Sequence, residues 1–283
     1  MSGLTDVHVH LAALPEPGNG CLLSKRMREG WLARLVCRVQ GLPIDDPATA
    51  NRLYIERLKR ELGASSLVSR AVLLAMDGVY GADGRLDEAR TDFLIANDRV
   101  LELARGDARF LAGVSINPAR RDALEELERC AAQGAALVKM LPNAQAFDPA
   151  RDDFRPFYRA LARLGIPLLS HIGYEFSLIG QDQSVGDPDR LVCALEEGVT
   201  VIAAHGCSYG LFLYEKHLPR MVELMARYPR LYADLSALTL PNRAGALLRL
   251  ARMKDLRGRF LFGTDYPLPT FRYPCLLAGK PAA

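Results

Sequence analysis

The stretch Leu4-Thr5-Asp6-Val7-His8-Val9-His10-Leu11 decides how the rest of the chain is read. Its apolar residues predict a strand, and successive side chains of a strand face opposite sides. His8 and His10 therefore project from one face. Two neutral imidazoles so placed can converge on one cation such as Zn²⁺, which imidazole nitrogen binds at about 2.0–2.1 Å. The same pair would also suit the wet face of an edge strand, so the residues further along have to decide.

Outward from this strand the chain keeps a regular rhythm. Apolar, β-branched runs recur at 71–76, 110–116, 135–141, 166–170, 199–204, 231–235 and 260–262. Helical spacing fills the gaps at 88–104, 120–133, 154–164, 188–196, 215–228 and 243–253. Strands that read as continuous apolar runs between amphipathic helices imply a parallel sheet buried on both faces. Eight such units predict an α/β fold of the (β/α)₈ TIM-barrel type, with a doubly wound open sheet as the alternative. Gly134, Gly165 and Gly198 stand at helix ends, where a residue of positive φ commonly stops a helix.

One interval is too long for a minimal unit. After Pro15, Pro17, Gly18 and Gly20, helical spacing is expected over 24–40, with Met27, Trp31, Leu32, Leu35 and Val36 on one face, and again over 47–62. We read 12–66 as a helical insertion that covers the site, within a single domain spanning 1–283. The tail from Pro267 leaves little chain for a closing helix, which would favour a homodimer that covers an open barrel end.

Composition narrows the class further. Hydrophobic residues make up 49% of 283, enough for one large core. The formal charge of +3 comes from basic residues scattered among acids, which argues against a nucleic-acid partner. No apolar run approaches the ~18–20 residues of a membrane span. The N-terminus enters the histidine strand directly, without a signal-peptide pattern, so the expected location is cytoplasmic. Cys21, Cys37, Cys130, Cys193, Cys207 and Cys275 lack a paired spacing and read as reduced, mostly core thiols. Cys207 lies two residues after His205, but His205-Gly206-Cys207-Ser208 supplies nothing that would activate a thiol.

Barrel enzymes carry their chemistry at the carboxyl ends of the strands. Here the fourth strand runs out through Lys139-Met140-Leu141-Pro142-Asn143, and the fifth through His171-Ile172-Gly173-Tyr174-Glu175. The sixth ends at His205-Gly206 and the eighth at Gly263-Thr264-Asp265-Tyr266-Pro267. Four of the five histidines thus fall at strand ends, together with a lysine and an aspartate. Chance does not readily place them so.

In this combination Asp6-Val7-His8-Val9-His10, Lys139, His171, His205 and Gly263-Thr264-Asp265 resemble the amidohydrolase superfamily. The Lys-Met-Leu-Pro-Asn segment and the closing Gly-Thr-Asp-Tyr-Pro are similar to its amidohydrolase-related branch, which includes aminocarboxymuconate-semialdehyde decarboxylase and several lactonases. The resemblance implies that His8, His10, His171 and Asp265 hold one divalent metal, usually zinc. It implies that His205 either binds a second metal or faces the substrate and the attacking water. In two-metal members a lysine at the position of Lys139 is carboxylated and bridges the ions. Otherwise Lys139 would bind a substrate carboxylate or pair with Asp265.

The chemistry of the residues agrees with this division. Three imidazoles and a carboxylate suit a borderline metal with an open position for water, whose pKa falls from 15.7 toward roughly 7. Asp265 would take the proton and return it to the leaving group, and His205 would polarise the carbonyl. The expected reaction is hydrolysis of an amide, lactone or ester of a small molecule. The runner-up is non-oxidative decarboxylation of an unsaturated or aromatic acid at the same site. Tyr174 and Glu175 are weaker candidates for substrate contact. Asp77, Tyr80, Asn117, Asp234 and Ser236 divide evenly between substrate contact and hydrogen bonding among loops. His217 reads as a solvated or capping residue.

Overall fold

Eight parallel strands run in chain order around the molecule: β1 (Leu4–His10), β2 (Val68–Leu74), β3 (Phe110–Ser115), β4 (Ala135–Met140), β5 (Leu168–Ser170), β6 (Val201–Ala203), β7 (Leu231–Asp234) and β8 (Phe260–Leu261). This computed structural model describes residues 3–175, 178, 182–211 and 214–272. β8 returns to β1 through Val7 N–H to Phe262 O at 3.0 Å, Asp265 N–H to His8 O at 2.9 Å and His10 N–H to Tyr266 O at 2.8 Å. The sheet thereby curls into the expected barrel.

Because strand side chains alternate, each strand feeds two cores. Val72, Leu74, Leu137, Leu169, Ile202 and Ala204 form the plug inside the barrel, flanked by Val7, Leu111, Tyr232 and Leu261. Their neighbours, such as Leu73, Val138 and Leu168, face outward into the larger core under the helices. This double burial is why the strands read as unbroken apolar runs.

The connections carry α4 (Asn97–Gly106), α5 (Ala123–Ala132), α7 (Arg155–Leu164), α8 (Val192–Glu196), α9 (Leu218–Arg227) and α10 (Ala246–Arg252), with the one-turn α6 (Pro142–Gln145) after β4. Gly134, Gly165 and Gly198 take φ of +89°, +68° and +82° at helix ends, as expected. Between β1 and β2 lie α1 (Lys25–Glu29), α2 (Trp31–Gln40) and α3 (Pro47–Ala64). Asp46 starts α3 by accepting from Thr49 N–H at 3.1 Å, with Pro47 in the first turn, where a missing N–H costs nothing.

Several expected helices are shorter. The helix expected over 24–40 breaks at Gly30, whose extended backbone ends α1 and starts α2. Its expected buried face also differs: Trp31 and Leu35 are 76% and 46% exposed, while Met27 and Val36 turn inward to line a cavity. α2 is apolar around more than one face, so periodicity alone did not choose the inner one. The Leu32 side chain lies outside the described residues.

The stretch 88–96 is not helical. Phe93–Leu94 pairs antiparallel with Leu22–Leu23, and Asp92 accepts from Ser24 Oγ at 2.6 Å and from Arg26. Tertiary pairing with the insertion overrides helical propensity there. Likewise Glu215 stays outside α9 to accept from Ser208 Oγ at 2.6 Å, and Arg243 stays outside α10 to donate to Ser208 O at 2.8 Å. No helix among the described residues is long and apolar enough to cross a membrane. The described residues after β8, up to 272, contain no helix, and 273–283, with Cys275, lie outside them. The other five cysteines are free thiols.

Candidate metal centre

The strands that build the plug also lift the polar residues above it. Lys139 follows Leu137 by two positions, His171 follows Leu169 and Asp234 follows Tyr232, so each continues the inward face one layer higher. All three are buried. Between Asp6 and Val9 the register of β1 against β2 shifts, and this irregularity turns His8 into the same layer.

His8 is the hub. Its Nδ1 donates to Asp234 Oδ2 at 2.7 Å, which leaves Nε2 as a lone pair. Around that nitrogen stand His10 Nε2 at 3.3 Å, Asp265 Oδ1 at 3.2 Å and Lys139 Nζ at 3.2 Å. Asp265 Oδ1 is also 3.1 Å from His10 Nε2. Yet this oxygen is buried and takes no hydrogen bond of proper geometry. Two imidazole nitrogens and a bare carboxylate oxygen converging in a buried site form a donor set that fits a divalent cation.

His8, His205 and Asp234 also stand close together, but that space is filled. Ser236 Oγ lies 3.0 Å from His8 Nδ1 and 2.8 Å from His205 Nδ1, and it donates to Asp234. This second group is a hydrogen-bonded support for the first. His205 stacks on His8 with ring centroids 5.2 Å apart, and its Nε2 lies 3.1 Å from His171 Nδ1. His171 therefore reaches the centre through His205, one ring beyond the His8–His10–Asp265 set.

Electrostatics follow from burial. Burial would raise the Asp265 carboxyl, but the nearby His8, His10 and His205 rings outweigh it and hold it well below the usual range. Burial likewise opposes ionisation of Asp234, and His8, Ser236 and Lys139 together bring it below its ordinary value. Burial drives His171 and His205 well below the usual imidazole range, so both stay neutral. Lys139, wholly enclosed, is pushed down to about 8 by burial against the pull of Asp234, Asp265 and Glu175.

Asp6 joins the two ends of the chain. It accepts from Thr264 Oγ1 at 2.6 Å, Thr264 N–H at 3.1 Å and His8 N–H at 3.0 Å. The opening Asp-x-His-x-His and the closing Gly-Thr-Asp are thus one hydrogen-bonded unit, with Asp265 aimed inward from a backbone of φ +68°.

Of the weaker candidates, Glu175 lines the cavity above the centre, and the Tyr174 ring packs edge-on against Tyr209 at 4.8 Å. Asp77, Tyr80 and Asn117 tie loops together: Asp77 accepts from Tyr80 at 2.8 Å and from Asn117 N–H at 2.8 Å. His217 is not solvated. It holds the N-cap position of α9, the other expected place, without a side-chain capping bond, and its ring is buried against Tyr209 with centroids 4.9 Å apart. Helical position alone did not reveal the loop that folds over it. Sequence reasoning quoted Asp6 only as part of the opening motif, without a role, and missed Arg243. Asp6 could have been suspected from its place two residues before His8, whereas Arg243 gave no signal.

The loop carrying His171 has little room to adjust. Gly173 has φ +91°, and a Cβ there would lie 2.8 Å from Tyr209 O and closer still to Ser208 O. Gly173→Ala is expected to cost about 1–3 kcal/mol from backbone conformation alone, with the clash added. A urea titration of the variant checks this.

An eight-stranded barrel with imidazoles and a carboxylate gathered at its carboxyl rim places the chain in the class of barrels with a candidate metal centre. A family profile described as amidohydrolase matches residues 5–277. The chain belongs to the amidohydrolase superfamily, whose members depend on metal. No curated protein matches the sequence significantly.

Solved structures resemble it at low identity. An uncharacterized TIM-barrel protein of Bordetella bronchiseptica shares 18% identity at TM-score 0.69, covering 100% of this chain and 92% of that one. A probable 2-pyrone-4,6-dicarboxylic acid hydrolase of Acinetobacter baumannii shares 14% at TM-score 0.58, covering 94% and 85%. The 5-carboxyvanillate decarboxylase of Sphingomonas paucimobilis shares 14% at TM-score 0.57, covering 94% and 89%. These likenesses establish the common fold.

Proposed function

We propose that this chain is a metal-dependent hydrolase that opens an amide, lactone or ester of a small molecule. The observation that carries the reading is Asp265 Oδ1, buried without a hydrogen bond and 3.1–3.2 Å from two imidazole nitrogens. His8, His10 and Asp265 would hold the ion, with His171 and His205 beside them, and the nitrogen-rich set favours Zn²⁺. A divalent ion in such a site polarises a carbonyl and makes water acidic enough to ionise near pH 7.

The residues supply the rest. Ionised Asp265 accepts the proton as a water oxygen adds to the carbonyl carbon. As the bond from carbon to the leaving oxygen or nitrogen breaks, Asp265 returns that proton to the leaving group. His205, fixed by Ser236 and lining the cavity, faces the carbonyl oxygen. Hydrolysis is favoured over decarboxylation of an acid because Lys139 is turned to His8 within the centre and no lysine or arginine among the described residues lines the cavity above it. Lactone and amide panels, run against trapping of carbon dioxide from aromatic and unsaturated acids, test this reading. Release of carbon dioxide without hydrolysis would reverse the order.

The number of ions turns on Lys139. Its Nζ lies 3.2 Å from His8 Nε2, within the centre. We expect one ion per chain, with Lys139 an uncarboxylated amine. Metal analysis after growth with bicarbonate and excess zinc checks this, and a firm value of two would assign Lys139 as a carboxylated bridge.

A further inference from the structure

The cavity that opens above the centre has two chemically different ends. At its inner end stand His10, His205, Asp265 and Glu175. The cavity as a whole is about 200 Å³ in volume, and its remainder is walled by the loop after β1 and by α1, α2 and α3, through residues such as Leu14, Met27, Ala33, Val36 and Ala50, with Leu268 from the segment after β8. The polar side chains in this wall face the protein. Asn51 Oδ1 accepts from Leu14 N–H at 2.7 Å, and its Nδ2 donates to Leu14 O at 2.9 Å and to Glu16. The Tyr54 hydroxyl donates to His10 O.

A ligand in the outer part therefore meets carbon and sulfur surface, with no hydrogen-bonding group turned toward it from Asn51 or Tyr54. No cationic side chain among the described residues lines it either. A charged or polyhydroxylated substrate would lose its hydration here and gain no partner, which costs about 1–3 kcal/mol for each unpaired polar group and more for a charge. An alkyl or aryl group gains on the same transfer. An apolar cavity of roughly 150 Å³ holds one benzene ring, so this one, with the reacting carbonyl group included, has room for an appendage of a few carbons.

We infer that the substrate is a neutral ester, lactone or amide bearing an apolar appendage of this size, with its carbonyl at the histidine end and its carbon tail beneath α1 and α2. This rests on the hydrolase reading for the bond that is cleaved. It adds the class of molecule that carries the bond.

The test is a homologous series of γ-lactones with alkyl tails of increasing length, assayed with the metal-loaded full chain. kcat/KM should rise about fourfold for each added methylene until the cavity is full, then level off or fall. Binding of the matching 2-alkylcyclopentanones, which cannot be hydrolysed, is measured in parallel by calorimetry and should tighten in the same steps. Val36→Phe and Ala33→Phe, each of which fills the outer cavity, should flatten both series, and either variant suffices if the other fails to fold.

Tail-dependent ketone binding that Val36→Phe abolishes, without turnover of any lactone, would support the apolar site and sink the hydrolase reading. Ketone binding indifferent to tail length overturns the inference. So does a preference for a carboxylate-bearing lactone over its neutral analogue.

Discussion

Asp265→Ala is expected to strip the centre of its cation, with affinity for Zn²⁺ or Mn²⁺ falling by more than the roughly 100-fold at the upper end for a supporting residue. The carboxylate contributes the only negative charge in the His8–His10–Asp265 set, and its Oδ1 lies within 3.2 Å of both imidazoles. Without it two imidazole nitrogens remain, close enough to share an ion but carrying no negative charge to offset it in a largely buried site. Turnover should vanish as well, because the same residue carries the proton. Asp265→Asn separates the two roles of shape and charge: it keeps the volume and removes the charge. Dialysis against buffered metal, read as ions per chain, checks both variants. Stoichiometric metal at unchanged affinity in Asp265→Ala would place the ion elsewhere.

Asp234→Ala should do the most damage to the fold itself. This carboxylate is fully buried and accepts from His8 Nδ1 at 2.7 Å, His205 N–H at 2.9 Å, Ser236 N–H at 3.0 Å and the Ser236 hydroxyl. Alanine leaves these donors unpaired where water cannot reach, and breaking a buried charged pair costs about 3–5 kcal/mol. The His8 ring then loses the partner that fixes its tautomer, and metal affinity should fall about 10–100-fold. Stability is measured by urea titration in the presence of chelator, so that lost metal binding does not add to the difference. Asp234→Asn should recover part of the stability and little of the affinity, because a carboxamide retains an acceptor but not the charge.

The two aspartates differ in how visible they were. Asp265 stood out because it follows Gly-Thr at the end of the last strand and matches a family pattern. Asp234 lies at an equivalent strand end, but a carboxylate there reads the same whether it meets a loop or a histidine of the candidate centre. Its role depends on β7 and β1 lying across one barrel mouth, with Asp234 and His8 226 positions apart in the chain. The insertion shows the same limit. Its helices were expected, yet Trp31 and Leu35 turn outward while Val36 faces the cavity, because the barrel rim decides which apolar side of the helix is inner.

Local chemistry along the chain was sufficient for the barrel, since strands covered on both faces must be apolar without interruption and helices between them must be amphipathic. It was sufficient, too, for the metal-binding residue types, which stand where such strands end. Folding alone could bring Asp6 to Thr264, turn His8 between Asp234 and Asp265, and set His171 behind His205. Those relations depend on strand register and barrel closure, which join residues that no short-range pattern connects.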